Sequence, residues 1–81
     1  MMNARLTLKL YTTSHCHLCE LALELVLLHC KACAIALVEI ADNENLLSKY
    51  GTRIPVLQRT DTLAELGWPF NENDLQHFLK P

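Results

Sequence analysis

The chain has 81 residues, a formal net charge of −2, 51% hydrophobic residues and 20% charged ones. That length predicts one domain over residues 1–81, and the absence of a basic excess argues against nucleic acid as a partner. A chain this short buries only about 60% of its unfolded surface, so its stability is expected to be modest.

The opening residues lead into Leu6-Thr7-Leu8-Lys9-Leu10. Threonine and lysine interrupt the continuous apolar run that a signal peptide needs, so export is not expected. Residues 21–40 are the longest apolar stretch, broken by Glu24, His29, Lys31 and Glu39. They are too polar for a membrane span of about 20 residues. Four cysteines in so short a chain suit a secreted disulfide framework, but the aliphatic content supplies a core without one, and the cytoplasm is the expected compartment.

Residues 5–11 alternate, with Leu6, Leu8 and Leu10 on one face and Thr7 and Lys9 on the other, the period of a half-buried strand. Residues 17–31 follow as a helix whose polar positions His17, Glu20, Glu24 and Lys31 form a narrow stripe, predicting a mostly enclosed element. A second strand is expected at residues 34–41, parallel to the first through a right-handed crossover. Asp42 is the predicted N-cap of a short helix bearing Leu46, Leu47 and Tyr50, with Gly51 as a C′ glycine ending it. Residues 56–59 and 62–66 read as a hairpin turning at Thr60-Asp61. Asn71 caps a last helix with Leu75, Phe78 and Leu79 on its apolar side, and Trp68-Pro69-Phe70 is expected to pack at its edge.

The residues that carry chemistry lie at the first strand-to-helix junction, Thr13-Ser14-His15-Cys16-His17-Leu18-Cys19. Two cysteines three positions apart on a helix start have Cα atoms roughly 5 to 6 Å apart, inside the disulfide range. Cys16 falls in the first turn, where unpaired N–H groups and the helix dipole favour a thiolate, and Cys19 is placed to resolve a mixed disulfide. His15 and His17 flank Cys16 either as solvated loop residues or as imidazoles that tune its thiolate. Cys30 and Cys33 read as small apolar fillers at the opposite helix end, where the dipole disfavours a thiolate. A zinc site joining both pairs is excluded by length: 14 helical residues at 1.5 Å span about 21 Å.

The order β-α-β-α-β-β-α, the Cys-x-x-Cys at its first junction and Gly51-Thr52-Arg53-Ile54-Pro55-Val56-Leu57 before the hairpin together resemble a glutaredoxin-like member of the thioredoxin superfamily. The resemblance covers nearly the whole chain. It implies an α/β thioredoxin-like fold, a four-stranded mixed sheet with three helices, and thiol-disulfide exchange through Cys16 and Cys19 as the catalytic pair. It also implies that Pro55 is the family's cis-proline and that the backbone of Ile54 and Pro55 binds substrate. No cofactor and no metal are called for.

The implied partners are protein or small-molecule disulfides. Glutathione is included, but against two departures. Thr13 to His15 supply no basic residue before the first cysteine, and Glu65-Leu66-Gly67-Trp68-Pro69 stands where glutathione-using relatives carry Gly-Gly and an acidic residue. A different class of function stays open beside this one: a non-catalytic binding module on the same fold that holds a metal or cluster through Cys16.

Overall fold

The computed structural model describes residues 6–80, so the part of the first strand expected at Arg5 lies outside the described residues. Its elements run β1 (Thr7–Thr12), α1 (His17–His29), β2 (Ala34–Glu39), α2 (Glu44–Tyr50), β3 (Val56–Arg59), β4 (Glu65–Gly67) and α3 (Glu72–Leu79). The strands form one mixed sheet in the order β2-β1-β3-β4. β1 pairs parallel with β2 and antiparallel with β3, and β4 returns antiparallel to β3. This is a thioredoxin-like α/β fold.

Strand alternation divides the core in two. Leu8 and Leu10 of β1 and Leu57 of β3 point to the face covered by α1 and α3, where Ala22, Val26, Phe70 and Leu75 close a cluster whose members are at most 8% exposed. Full burial of each of these large side chains stabilises the fold by about 1.5–3 kcal/mol. Tyr11 and Val56 point to the opposite face and meet Ile40 and Tyr50 under α2. That helix is 7 residues long and covers only one end of the sheet. Lys9 and Ala36 on the same face are therefore exposed.

Four local expectations are corrected by the structure. The N-cap of α2 is Asn43 rather than Asp42: its Oδ1 accepts the Leu46 N–H at 3.1 Å, because the helix starts one residue later than expected. Gly51 is right-handed (φ −54°) rather than left-handed, and its N–H donates to the Leu47 carbonyl at 2.8 Å. Glycine is needed there for space, since a Cβ would collide with the Leu47 carbonyl oxygen. The hairpin does not turn at Thr60-Asp61 alone. Arg59 N–H donates to Ala64 C=O and Leu63 N–H to Arg59 C=O, both at 3.0 Å, with Leu63 at φ 66°, which delays β4 to Glu65. Finally, α1 is not mostly enclosed. Only Cys19, Ala22 and Val26 are buried, while Leu18, Leu21, Leu27 and Leu28 are exposed, because the sheet and α3 cover a single stripe of the helix.

Cys30 caps the C-terminus of α1 and is joined to Cys33 in a disulfide, Cα–Cα 5.5 Å. Cys33 does fill the core, at 8% exposure, but the pair is bonded to itself rather than acting as two separate fillers. His29 is half-buried, with Nδ1 4.0 Å from Glu72 of α3. Asn71 caps α3 reciprocally: its Oδ1 accepts the Asp74 N–H at 2.8 Å, and Asp74 Oδ2 accepts the Asn71 N–H at 2.9 Å. The Trp68 and Phe70 rings meet edge to face at 5.0 Å beside it.

Candidate functional site

β1 ends at Thr12 in the middle of the sheet, and the chain must turn there to run back as α1. His15 makes the turn at φ 59°, a left-handed conformation uncommon outside glycine and tolerated by histidine better than by most residues. The next residue, Cys16, is extended (φ −100°, ψ 101°) and serves as the N-cap. Its carbonyl accepts the Glu20 N–H at 3.2 Å, and its Sγ accepts the Cys19 N–H, also at 3.2 Å. A sulfur therefore occupies the place that a serine or aspartate oxygen takes in most caps.

Cys16 and Cys19 are joined in a disulfide with Cα atoms 5.2 Å apart. Their environments differ: Cys16 is half-buried, whereas Cys19 is 4% exposed. An incoming group reaches Cys16 first.

A pocket of about 110 Å³ opens beside the pair, walled by Leu10, Leu23 and Leu37 and reaching Glu20 and His15. Leu37 is the register partner of Leu10 across the parallel pairing, but on the outermost strand it stays 58% exposed. Glu39, two residues further on, accepts the Ala41 N–H at 2.9 Å and the Ser14 hydroxyl at 3.4 Å. The first of these bonds, with help from Thr13 and Ser14, holds its carboxyl below the usual carboxylate range.

His15 lines this pocket and His17 does not. The His17 side chain is 80% exposed, with Nδ1 3.9 Å from Glu20 Oε1. Ile54 and Pro55 are not in the pocket lining either, but they lie at the same end of the sheet, since the register continues from Tyr11 opposite Val56. The Ile54–Pro55 peptide is cis, as is Trp68–Pro69. Pro55 is fully buried and Ile54 partly exposed. Among the described residues, no three or more His, Cys, Asp or Glu side chains gather to hold a metal ion, and no helix is long and apolar enough to cross a membrane.

The loop that carries Ile54 and Pro55 is anchored by a polar network the sequence does not reveal. The Tyr50 carbonyl accepts the N–H groups of Arg53 (2.8 Å) and Ile54 (3.0 Å), closing the turn. The Tyr50 hydroxyl donates to Glu65 Oε2 at 2.5 Å, Gln58 Nε2 reaches the same oxygen at 3.3 Å, and Arg53 Nη2 donates to Glu65 Oε1 at 3.2 Å. Tyr11 donates to Gln58 at 2.8 Å and stacks on Tyr50 at 4.1 Å. The bond from Tyr50, followed by Arg53, holds the Glu65 carboxyl down against the opposing effect of burial. Burial, followed by Glu65, pushes the Tyr50 phenol up.

Residues 7–80 match the family model described as Glutaredoxin-like domain (DUF836), so the chain belongs to that glutaredoxin-like family. Comparison with curated proteins gives no match. Among solved structures, the chain is similar to the X-ray structure of Northeast Structural Genomics target protein XcR50 from X. campestris, with 41% identity and a TM-score of 0.79 over 91% of this chain and 99% of that one. It is also similar to the solution structure of protein Ne2328 from Nitrosomonas europaea, with 26% identity and a TM-score of 0.78 over 99% of this chain and 98% of that one.

Proposed function

We propose that this protein is a thiol-disulfide oxidoreductase whose exchanging pair is Cys16 and Cys19. In the reduced protein the Cys16 thiolate attacks one sulfur of a substrate disulfide. A Cys16–substrate disulfide forms, the substrate S–S bond breaks, and the departing thiolate takes up a proton. Cys19 then attacks Cys16, releases the second substrate thiol and leaves the intramolecular disulfide. Two electrons pass from protein to substrate, and a dithiol or two thiols of a reductant return them. Such recharging suits the cytoplasm.

The observation that carries this reading is the cap. Cys16 Sγ already accepts the Cys19 N–H at 3.2 Å at the positive end of a 13-residue helix, so a negative charge on that sulfur meets a preformed donor and a favourable dipole. The contrast in exposure supports the division of roles, with Cys16 attacking and Cys19 resolving. His15 and His17 are assigned the tuning of the thiolate, and the backbone of Ile54 and Pro55 the docking of the substrate. The test is a disulfide reductase assay with a glutathione- or thioredoxin-type reductant. Activity is expected to vanish in Cys16→Ser, while Cys19→Ser accumulates a mixed disulfide on Cys16. Activity that survives Cys16→Ser refutes the assignment.

A further inference from the structure

The size and charge of the pocket beside the cysteines bear on which disulfides reach them. At about 110 Å³ it is smaller than the ~150 Å³ cavity that holds a benzene, and far below the ~300 Å³ at which sites begin to enclose whole small molecules. It fits one aliphatic side chain. Leu10, Leu23 and Leu37 form its apolar wall, open to solvent where Leu37 lies on the outermost strand. Its polar rim holds one carboxylate and one imidazole, that of His15. Glu20 lines it, and Glu39 is tied to Ser14 of the turn that leads to Cys16. The Ala41 N–H donates to the Glu39 carboxylate and holds it below the usual carboxylate range. No lysine or arginine is in the lining.

On the reading of Cys16 and Cys19 as an exchange pair, we propose that this pocket is a specificity subsite for polypeptide disulfides that carry an aliphatic side chain next to the attacked cysteine and a lysine or arginine beyond it. The same rim disfavours anionic disulfides, that of glutathione among them. Opposite charge across a partly exposed interface mainly raises the association rate, while like charge suppresses it. The leucine wall supplies the apolar contact that fixes which residue sits beside the reacting sulfur.

The probes are three short peptides whose single cysteine is blocked as a mixed disulfide with 5-thio-2-nitrobenzoate: one with leucine before the cysteine and two lysines after it, one with the lysines replaced by glutamates, and one with the leucine replaced by glycine. Cys16 attacks the peptide sulfur, the peptide–thionitrobenzoate bond breaks, and the coloured thiolate leaves with the electron pair. Cys19 then displaces the peptide thiol, which takes a proton. The reduced protein is expected to release colour from the leucine–lysine peptide about tenfold faster than from the leucine–glutamate one. The gap should close at 1 M salt, where the screening length is about 3 Å.

Two exposed positions test the assignment without disturbing the core, since the Glu20 side chain is 70% exposed and Leu37 is 58% exposed. Glu20→Lys should narrow or invert the charge preference. Leu37→Ser should slow the leucine peptides towards the rate of the glycine one. Equal rates for lysine and glutamate peptides, insensitive to Glu20→Lys, would overturn the subsite and leave the exchange pair standing. No colour from any peptide would overturn both.

Discussion

Tyr50→Phe removes one oxygen from the network under the Ile54–Pro55 loop and leaves the rest in place. The phenylalanine ring keeps the stack on Tyr11 and the burial of the residue, which is 2% exposed, so the change isolates the hydroxyl bond to Glu65 at 2.5 Å. A hydrogen bond to a charged group is worth about 1.5–3 kcal/mol. Glu65 keeps Arg53 at 3.2 Å and Gln58 at 3.3 Å, so it is not orphaned, and the expected loss lies at the low end, about 1.5–2 kcal/mol. For a domain of this size that corresponds to a drop in Tm of roughly 10 °C. The loss should depend on pH. Because Glu65 is held below its ordinary 4.5, its contribution is full above that value and is lost as pH falls through the lower folded value. Urea unfolding of wild type and variant at pH 7 and in steps down to strongly acid pH reads both effects. A difference at pH 7 under about 0.5 kcal/mol, or one that does not shrink in acid, would refute the role given to this bond, since it would fall well short of the usual worth of a hydrogen bond to a charged group.

Gly51→Ala, favourable by helix propensity alone, is expected to destabilise by about 1–3 kcal/mol in urea unfolding because its Cβ meets the Leu47 carbonyl oxygen. Arg59, 6% exposed, grips Asp61 through Nε (2.9 Å) and Nη2 (2.7 Å) and donates through Nη1 to the Phe78 and Lys80 carbonyls at the end of α3. Arg59→Met leaves those carbonyls without this donor and should cost about 2–4 kcal/mol, with amide exchange of α3 accelerated first. In the fully reduced protein, limiting alkylating reagent should label Cys16 before Cys30, because the two lie at opposite ends of the α1 dipole. Mass mapping of the labelled peptides reads the order.

Much of the architecture was legible because local pattern and final burial agree. The alternation of Leu8 and Leu10 with Thr7 and Lys9 is the division between core and solvent that the sheet shows, and Asn71 caps α3 as its sequence suggests. The cysteine pair was legible for the same reason, since three-residue spacing on a helix start is a local matter. What the sequence hid depends on strands that meet far along the chain. Glu65 finds Tyr50 only because β4 pairs with β3 in the register that sets Gln58 opposite Glu65. Leu37 is apolar like its neighbours in β2, and only the strand order, which leaves β2 at the edge, turns it into an exposed pocket wall. Asp42 and Asn43 are both good caps, and nothing local chooses between them. The exposure of Leu18, Leu21, Leu27 and Leu28 likewise reflects how few elements an 81-residue chain has with which to surround a 13-residue helix.

The most direct measurement is the pH titration of thiolate ultraviolet absorbance in the reduced protein, taken as the difference between wild type and Cys16→Ser. The capped sulfur is expected to titrate well below the ~8.5 of an ordinary cysteine. A midpoint at or above that value would contradict the claim that the start of α1 creates a nucleophile at Cys16.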